Sequence, residues 1–473
     1  MSTKITIEPV TRIEGHAKVT VQLDDAGNVE LARFHVNEFR GFEKFCEGRL
    51  FYEMPQITER ICGICPVSHH LVSAKACDQI IGVAPPRPAQ LLRELMHMGQ
   101  TIQSHSMHFF ELAGPDLLLG FDADPAIRNV VGVHALDPNL ARKAIALRRF
   151  GQEIIARVGD RRIHPMFAVP GGVNKALTAT VRDGILTQIP EMIGYVNDGL
   201  AIVKAWAQKH AEEMRTFAVF PTAYMGTVDE NNKLNLYDGQ LRLVDAQRQQ
   251  MERFDGRNYL DFIGEHVESW SFLKFPFYRK LGWPDGVYRV GPLGRLNAAT
   301  GIPTPLAQKE YEIFQQAGAG QVIAGTLFYH YARLIEDLYA LERAAEILET
   351  NDVLSTDIRH SGKVTNHEGV GILEAPRGTL IHHYWVDDNG QIEKVNLIVA
   401  TGHNNYAMSR AVEEVARQYI HGPTVKEGML NRVEAAIRAY DPCLSCSTHA
   451  VGRMPLELVV VDRYGHELQR LVS

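Results

Sequence analysis

Six cysteines stand at positions 46, 62, 65, 77, 443 and 446 of this chain. Four of them form two CxxC pairs, Cys62-Gly63-Ile64-Cys65 and Cys443-Leu444-Ser445-Cys446, with His69 and His70 following the first pair and His449 the second. Paired thiolates at this spacing can close on one metal, and two pairs make an S4 site. Soft thiolates select zinc, nickel, copper(I) or iron. On spacing alone the ordinary outcome is structural zinc or a rubredoxin-like iron. Two observations weigh against a staple. A chain of 473 residues buries enough core to fold without one. The pairs also sit in Glu59-Arg60-Ile61-Cys62 and Asp441-Pro442-Cys443 contexts, not in small polar Gly/Lys-rich loops.

The elements that must bring these residues together can be read from periodicity. Ile5, Ile7, Val19, Val21, Leu23, Val29 and Leu31 alternate with polar residues around the turn Asp24–Asn28, which predicts a hairpin or small sheet. From Pro88 the spacing is helical, through Leu91, Leu95, Met98 and Ile102 and on past Phe109. A second long helix is predicted over Val322–Thr350, and Arg410–Tyr440 is predicted helical. Residues 226–300 read as irregular or β structure, and Glu374–Ala400 as strands around the turn Asp387–Gly390. Cys65 and Cys443 lie 378 positions apart, so a shared site forbids splitting the chain into independent halves. The expected fold is α+β and mostly α: a single interwoven domain with a long-helix bundle core and peripheral β-sheets, in place of the three domains that length alone suggests.

Composition narrows the function. Forty-nine basic and 56 acidic residues leave a net charge of −7, a poor basis for binding nucleic acid or an anionic membrane. No run approaches the ~18 apolar residues of a membrane span, and the start, MSTKITIEPV, lacks a secretory layout. There is no GxxxxGK[ST], and the glycines of residues 317–321 fail the dinucleotide fingerprint. Only Cys46 and Cys77 remain outside the pairs, too few for an iron–sulfur cluster. Electrons handled here would have to leave through another subunit.

The two cysteine segments resemble the metal-binding signatures of nickel–iron hydrogenase large subunits: Arg60-Ile61-Cys62-Gly63-Ile64-Cys65 with His69, and Asp441-Pro442-Cys443 with Cys446 and His449. Three further stretches match the family's motifs in order: Arg12-Ile13-Glu14-Gly15-His16, Arg40-Gly41-Phe42-Glu43 and Glu374-Ala375-Pro376-Arg377-Gly378. The surrounding texture is most similar to the cytoplasmic, bidirectional NAD-reducing type. The quinone-site subunit of respiratory complex I shares the fold but has lost the nickel cysteines, and all four stand here.

The resemblance implies a site. Cys62 and Cys443 would be terminal thiolates on nickel, while Cys65 and Cys446 would bridge nickel to an iron carrying one carbon monoxide and two cyanides. Four thiolates and two cyanides around two divalent metals leave an anionic cluster, so a guanidinium is needed nearby, and Arg377 holds that place with Asp441 as its carboxylate partner. Thr401 would donate to a cyanide, Pro376 would pack on the diatomic ligands, and His69 would sit beside a bridging thiolate. Magnesium would be held by Glu43, the Leu397 carbonyl and His449, with waters. The activity implied is H2 ⇌ 2H+ + 2e−, the proton passing from the Cys443 thiolate, assisted by Arg377, to Glu14. A structural role would instead have Glu14 cap a turn or pair with Arg12. One position departs from the family: Ser104 stands where many members carry a second carboxylate for the arginine.

Implied partners are H2, an iron–sulfur small subunit, diaphorase subunits that pass electrons to NAD, nickel-insertion factors and a maturation endopeptidase. NADP or a deazaflavin is the alternative carrier, and a non-catalytic metal-binding scaffold the remote one. Residues 1–449 would be the large-subunit domain. Residues 450–473 would be an extension cut off after His449, whose removal lets the Cys443/Cys446 loop close and His449 reach magnesium. Read without the family, Leu456–Val461 is a buried final strand. The expected compartment is the cytoplasm.

Overall fold

Alternating apolar residues give the chain its first layer. In the computed structural model, which describes residues 3–421, 424–449, 457–461 and 466–472, strands β1 (Thr3–Ile7), β2 (Lys18–Leu23) and β3 (Val29–His35) form an antiparallel sheet in that order. Val19, Val21 and Phe34 are fully buried on its inner face.

Helix α1 (Pro66–Ile80) starts at the residue after Cys65. Proline there has its φ preset for a first helical turn and no N–H to leave unpaired, so the chain turns from the cysteine loop directly into the core. Four long helices make the bundle: α2 (Arg87–Met107), α3 (Pro138–Gly159), α4 (Ile189–Lys209) and, after the short α5 (Gly291–Ala298), α6 (Phe328–Glu349). α2 packs on α3 and α6, and α6 on α4. Gly151 permits the first contact, since a Cβ there would stand 2.5 Å from the Gln103 backbone nitrogen. Past Met107 the helix continues through a wider turn, His108–Ala113, into Gly114–Leu119. Helices α7 (Asn405–Tyr419) and α8 (Glu427–Arg438) pack on each other.

Sheets flank the bundle. Strands β4 (Ala223–Val228), β5 (Gln240–Val244), β6 (Gln250–Phe254) and β7 (Tyr288–Arg289) take the order β7-β4-β5-β6, with β7 parallel to β4. Strands β8 (Glu368–Ala375), β9 (Gly378–Val386) and β10 (Ile392–Ile398) form an antiparallel meander. The tight turn between β8 and β9 carries Pro376 and Arg377. With 48% of residues helical and 19% in strands, the expected mostly-α, interwoven α+β domain is what forms.

Details differ from the sequence reading. The second long helix begins at Phe328, not Val322, because the Asn297 side chain takes both the N–H and the C=O of Ile323 and Thr326 bonds back to residues 217 and 218. The 226–300 region hides α5. The helical stretch 410–440 is two helices. At the far end, β11 (Glu457–Val461) and β12 (Glu467–Val472) pair as an antiparallel hairpin. Val460, Leu468 and Leu471 on it are exposed, and the expected single strand is one half of a hairpin; Leu456, its expected start, lies outside the described residues. Among the described residues no helix is long and apolar enough to cross a membrane.

Candidate metal centre

Each cysteine is placed by a break in a helix. Cys62 follows a single turn, Glu59–Ile61, with extended backbone, and Cys65 sits immediately before α1. Cys443, also extended, and Cys446 lie in the turn that follows α8. The N-terminal segment fastens that turn. The Leu444 N–H donates to the Glu14 carbonyl at 3.1 Å, and the Ser445 N–H to Glu14 Oε2 at 3.0 Å. Glu14 and Cys443 thus run side by side as a short parallel bridge, and Arg12 turns away to Asp116 at 2.6 Å. Of the two structural roles, the pair with Arg12 does not form, whereas the Glu14 carboxylate does cap the Cys443 turn through the Ser445 N–H.

The four sulfurs converge. Cys62 Sγ is 3.3 Å from Cys443 Sγ, Cys65 Sγ is 3.3 Å from Cys446 Sγ, and Cys443 Sγ is 2.9 Å from Cys446 Sγ. All four lie within 4.8 Å of one another, and each is buried and free. Among the described residues this is the one cluster of three or more His, Cys, Asp or Glu side chains able to share a metal ion. Hydrogen bonds from the other three thiols hold Cys62 low, while burial holds Cys443 and Cys446 high. A cation that accepts four thiolates is what its chemistry lacks.

Arg377, Pro376, Thr401 and His69 line a small cavity of about 10 Å³ against Cys65, Cys443 and Cys446. Arg377 Nη2 donates to Asp441 Oδ1 at 3.1 Å, while its buried Nε and Nη1 have no partner among the described residues. Burial alone would lower this guanidinium, but Asp441 and the neighbouring cysteines outweigh it and hold it charged. Unpaired donors beside a cluster of thiolates suit an anionic metal group with acceptor ligands. The Thr401 hydroxyl oxygen accepts from the Cys443 N–H at 2.9 Å and keeps its own proton to give. His69 Nε2 lies 3.3 Å from Cys446 Sγ. Ser104 is fully buried and its hydroxyl has no partner among the described residues, so it does not stand in for the missing carboxylate; among those residues the one side chain hydrogen-bonded to Arg377 is Asp441.

Glu43, Leu397 and His449 also meet. The Leu397 N–H donates to Glu43 Oε1 at 2.8 Å, and His449 Nε2 lies 3.6 Å from the same oxygen. The His449 ring faces the carbonyls of Cys446 and Leu397 as well. Burial pushes His449 down to about 4, so one N–H confronts three acceptors. That surplus of lone pairs fits a hard cation.

Sequence reasoning missed the group that holds the Pro376–Arg377 turn. Arg295, on α5, donates Nε to Glu336 Oε1 (2.7 Å), Nη1 to Glu374 Oε2 (2.9 Å) and the Ala375 carbonyl (2.8 Å), and Nη2 to Glu336 Oε2 (2.5 Å) and the Pro376 carbonyl (3.0 Å). All five guanidinium donors are used, in full burial. Burial would raise Glu336, but Arg295 and His105 outweigh it and bring it down to about 2. No spacing signal marks Arg295 or Glu336: the first stands in the stretch read as irregular or β structure, and the second reads as an ordinary charged helix residue.

Comparison with known proteins agrees with this geometry. Residues 40–126 and 207–449 match the nickel-dependent hydrogenase family, and residues 4–39 match a HoxL-like family. The chain belongs to the nickel-dependent hydrogenases and is a catalytic nickel–iron hydrogenase large subunit, with the four-cysteine cluster as its metal site. Within that class it is 44% identical to the beta chain of the NAD-reducing hydrogenase HoxS of Cupriavidus necator, over 98% of each chain. It is 46% identical to a chain of the F420-non-reducing hydrogenase vhu of Methanocaldococcus jannaschii, over 88% of this chain and 99% of that one. An NAD+-reducing [NiFe]-hydrogenase crystallised in its H2-reduced state superposes with a TM-score of 0.92 at 45% identity, covering 95% of this chain and all of the other.

Proposed function

We propose that this chain activates H2 for a soluble, cytoplasmic complex that exchanges electrons with NAD. The observation that carries the site reading is the pairing of Cys62 with Cys443 and of Cys65 with Cys446 beside the two unpaired donors of Arg377. Cys62 and Cys443 would hold nickel terminally, and Cys65 and Cys446 would hold it in common with an iron bearing one carbon monoxide and two cyanides. Arg377 and Thr401 would donate to the cyanides, with Pro376 packed against the diatomic ligands. Glu43, the Leu397 carbonyl and His449 would hold magnesium. When bound, the nickel–iron group supplies a Lewis-acidic, two-electron centre at which H2 is polarised.

The chain's own residues then manage the protons. The Cys443 sulfur is the base nearest the Glu14 segment, and Arg377, fixed by Asp441, stabilises charge beside it. Glu14 takes the proton onward, its carboxylate already held against the Cys443 turn by the Ser445 N–H. Two protons and two electrons leave per H2. The electrons pass through an iron–sulfur small subunit, then through diaphorase subunits, since no further cysteine pair is available here. We assign residues 450–473 to a segment removed after His449 by an endopeptidase once nickel has been inserted; intact-mass measurement of the processed chain, expected to end at His449, tests this.

The purified complex, supplied with H2, should reduce NAD faster than NADP or a deazaflavin. Reduction of the deazaflavin or of NADP in preference would move the chain to the alternative carrier. No H2-dependent reduction of any of them, with zinc in place of nickel, would leave only a metal-binding scaffold.

A further inference from the structure

Beyond Cys446 the hydrogen bonding does not stop at His69. His69 Nδ1 lies 3.1 Å from His382 Nε2, His382 Nδ1 lies 2.6 Å from the Tyr384 hydroxyl, and that hydroxyl lies 2.9 Å from Ser73 Oγ. His69 and Ser73 are one helical turn apart on α1. His382 and Tyr384 are alternate residues of β9 and so point to one face. Helix and strand together build a single line, Cys446–His69–His382–Tyr384–Ser73, and every member is buried to 1% exposure or less.

A metal-bound thiolate only accepts, so the polarity of this line is determined. His69 must carry its proton on Nε2, which leaves Nδ1 as an acceptor. His382 must then donate from Nε2 and accept at Nδ1, and the Tyr384 hydroxyl must donate to that nitrogen, which frees the tyrosine oxygen to accept from the rotatable Ser73 hydroxyl beside it. Each ring, fully buried and neutral, has one proton to place. Reversed, the line would turn the His69 lone pair onto the thiolate. Ser73 and Tyr384 are fully buried, so the line can orient a donor but gives a proton no outlet to solvent.

We infer that Tyr384, backed by Ser73, is a positioning residue: through His382 it fixes His69 in the tautomer that donates to the Cys446 sulfur. This inference rests on the reading of Cys446 as a thiolate ligand of the nickel–iron group. A donor on that sulfur draws charge from the metals, so its loss changes the carbonyl stretch of the iron.

The test is the infrared spectrum of the purified complex with Tyr384→Phe, which deletes one hydroxyl, alone and combined with His69→Leu. The expected result is a displaced carbonyl band in Tyr384→Phe at unchanged nickel and iron content, and no further displacement by Tyr384→Phe once His69 is replaced. Ser73→Ala should displace the band in the same direction by less, and it decides the matter if Tyr384→Phe yields no assembled complex. An unmoved band, or an equal displacement in the absence of His69, overturns the inference alone. A parent spectrum without carbonyl and cyanide bands overturns the metal reading and this inference with it.

Discussion

Arg377 and Asp441 are joined by one hydrogen bond of 3.1 Å between two fully buried charges, and that bond uses only one end of the guanidinium. The remaining Nε and Nη1 donors are left beside the cysteine cluster. A lysine could keep the charge but not both contacts, because an ammonium lacks the planar fork.

Arg377→Lys should therefore keep nickel and iron at parent levels while H2-dependent dye reduction falls by about 10²-fold, the scale of losing an electrostatic donor aimed at a reacting centre. Metal analysis beside the rate measurement checks it. A rate within twofold of the parent would mean that the guanidinium only balances charge.

Glu14→Gln separates structure from proton transfer. The amide oxygen can still accept from the Ser445 N–H, so the Cys443 turn and the metal content should persist. A carboxamide does not carry a proton, and turnover should drop by roughly 10²–10⁴-fold. Full activity in this variant would remove Glu14 from the proton route.

Arg295 makes its prediction about stability. Arg295→Met leaves Glu336 and Glu374 buried without their shared cation, a loss of about 3–5 kcal/mol. The urea midpoint should fall accordingly, and the Pro376–Arg377 turn should loosen with it. A midpoint within error of the parent would contradict the role given to this network.

Acid sensitivity follows from histidines buried without charge. Burial brings His70 and His97 down to about 4, and His330 and His403 to about 3, against ~6.5 in an unfolded chain. Below ~6.5 the unfolded chain binds protons that the folded one refuses, so stability is complete above that pH and declines toward pH 4. Each such histidine contributes a slope of up to about 1.4 kcal/mol per pH unit. Chemical denaturation at pH 7.5, 6.0 and 5.0 should show a steep fall in midpoint; a flat profile would mean these rings are protonated in the fold.

The site was legible where chemistry imposes spacing. That holds for the two CxxC pairs; the Glu14 and Glu43 motifs and the Glu374–Gly378 stretch were marked by resemblance to the family, and all of them converge in space. Two of the four long bundle helices, α2 and α6, and the sheets near the two ends of the family region were legible as 3.6- and 2-residue periodicities; α3 and α4 were not read. What stayed hidden depends on tertiary packing. Arg295, in a stretch read as irregular or β structure, and Glu336, on a predicted helix, look like solvated charges until α5 and α6 bury them together. Residues 322–327 keep a helical pattern but surrender their backbone to Asn297 and to residues 217–218. The hairpin β11–β12 has the apolar residues of a core strand, but its described side chains are not covered by the core.

The most direct test of the central claim is an infrared spectrum of the processed complex, in the region where metal-bound carbon monoxide and cyanide absorb, before and after admission of H2. One carbonyl band and two cyanide bands, all shifting under H2, are the predicted result. A processed, folded complex ending at His449 with no such bands would contradict the account of Cys62, Cys65, Cys443 and Cys446 as the nickel–iron site.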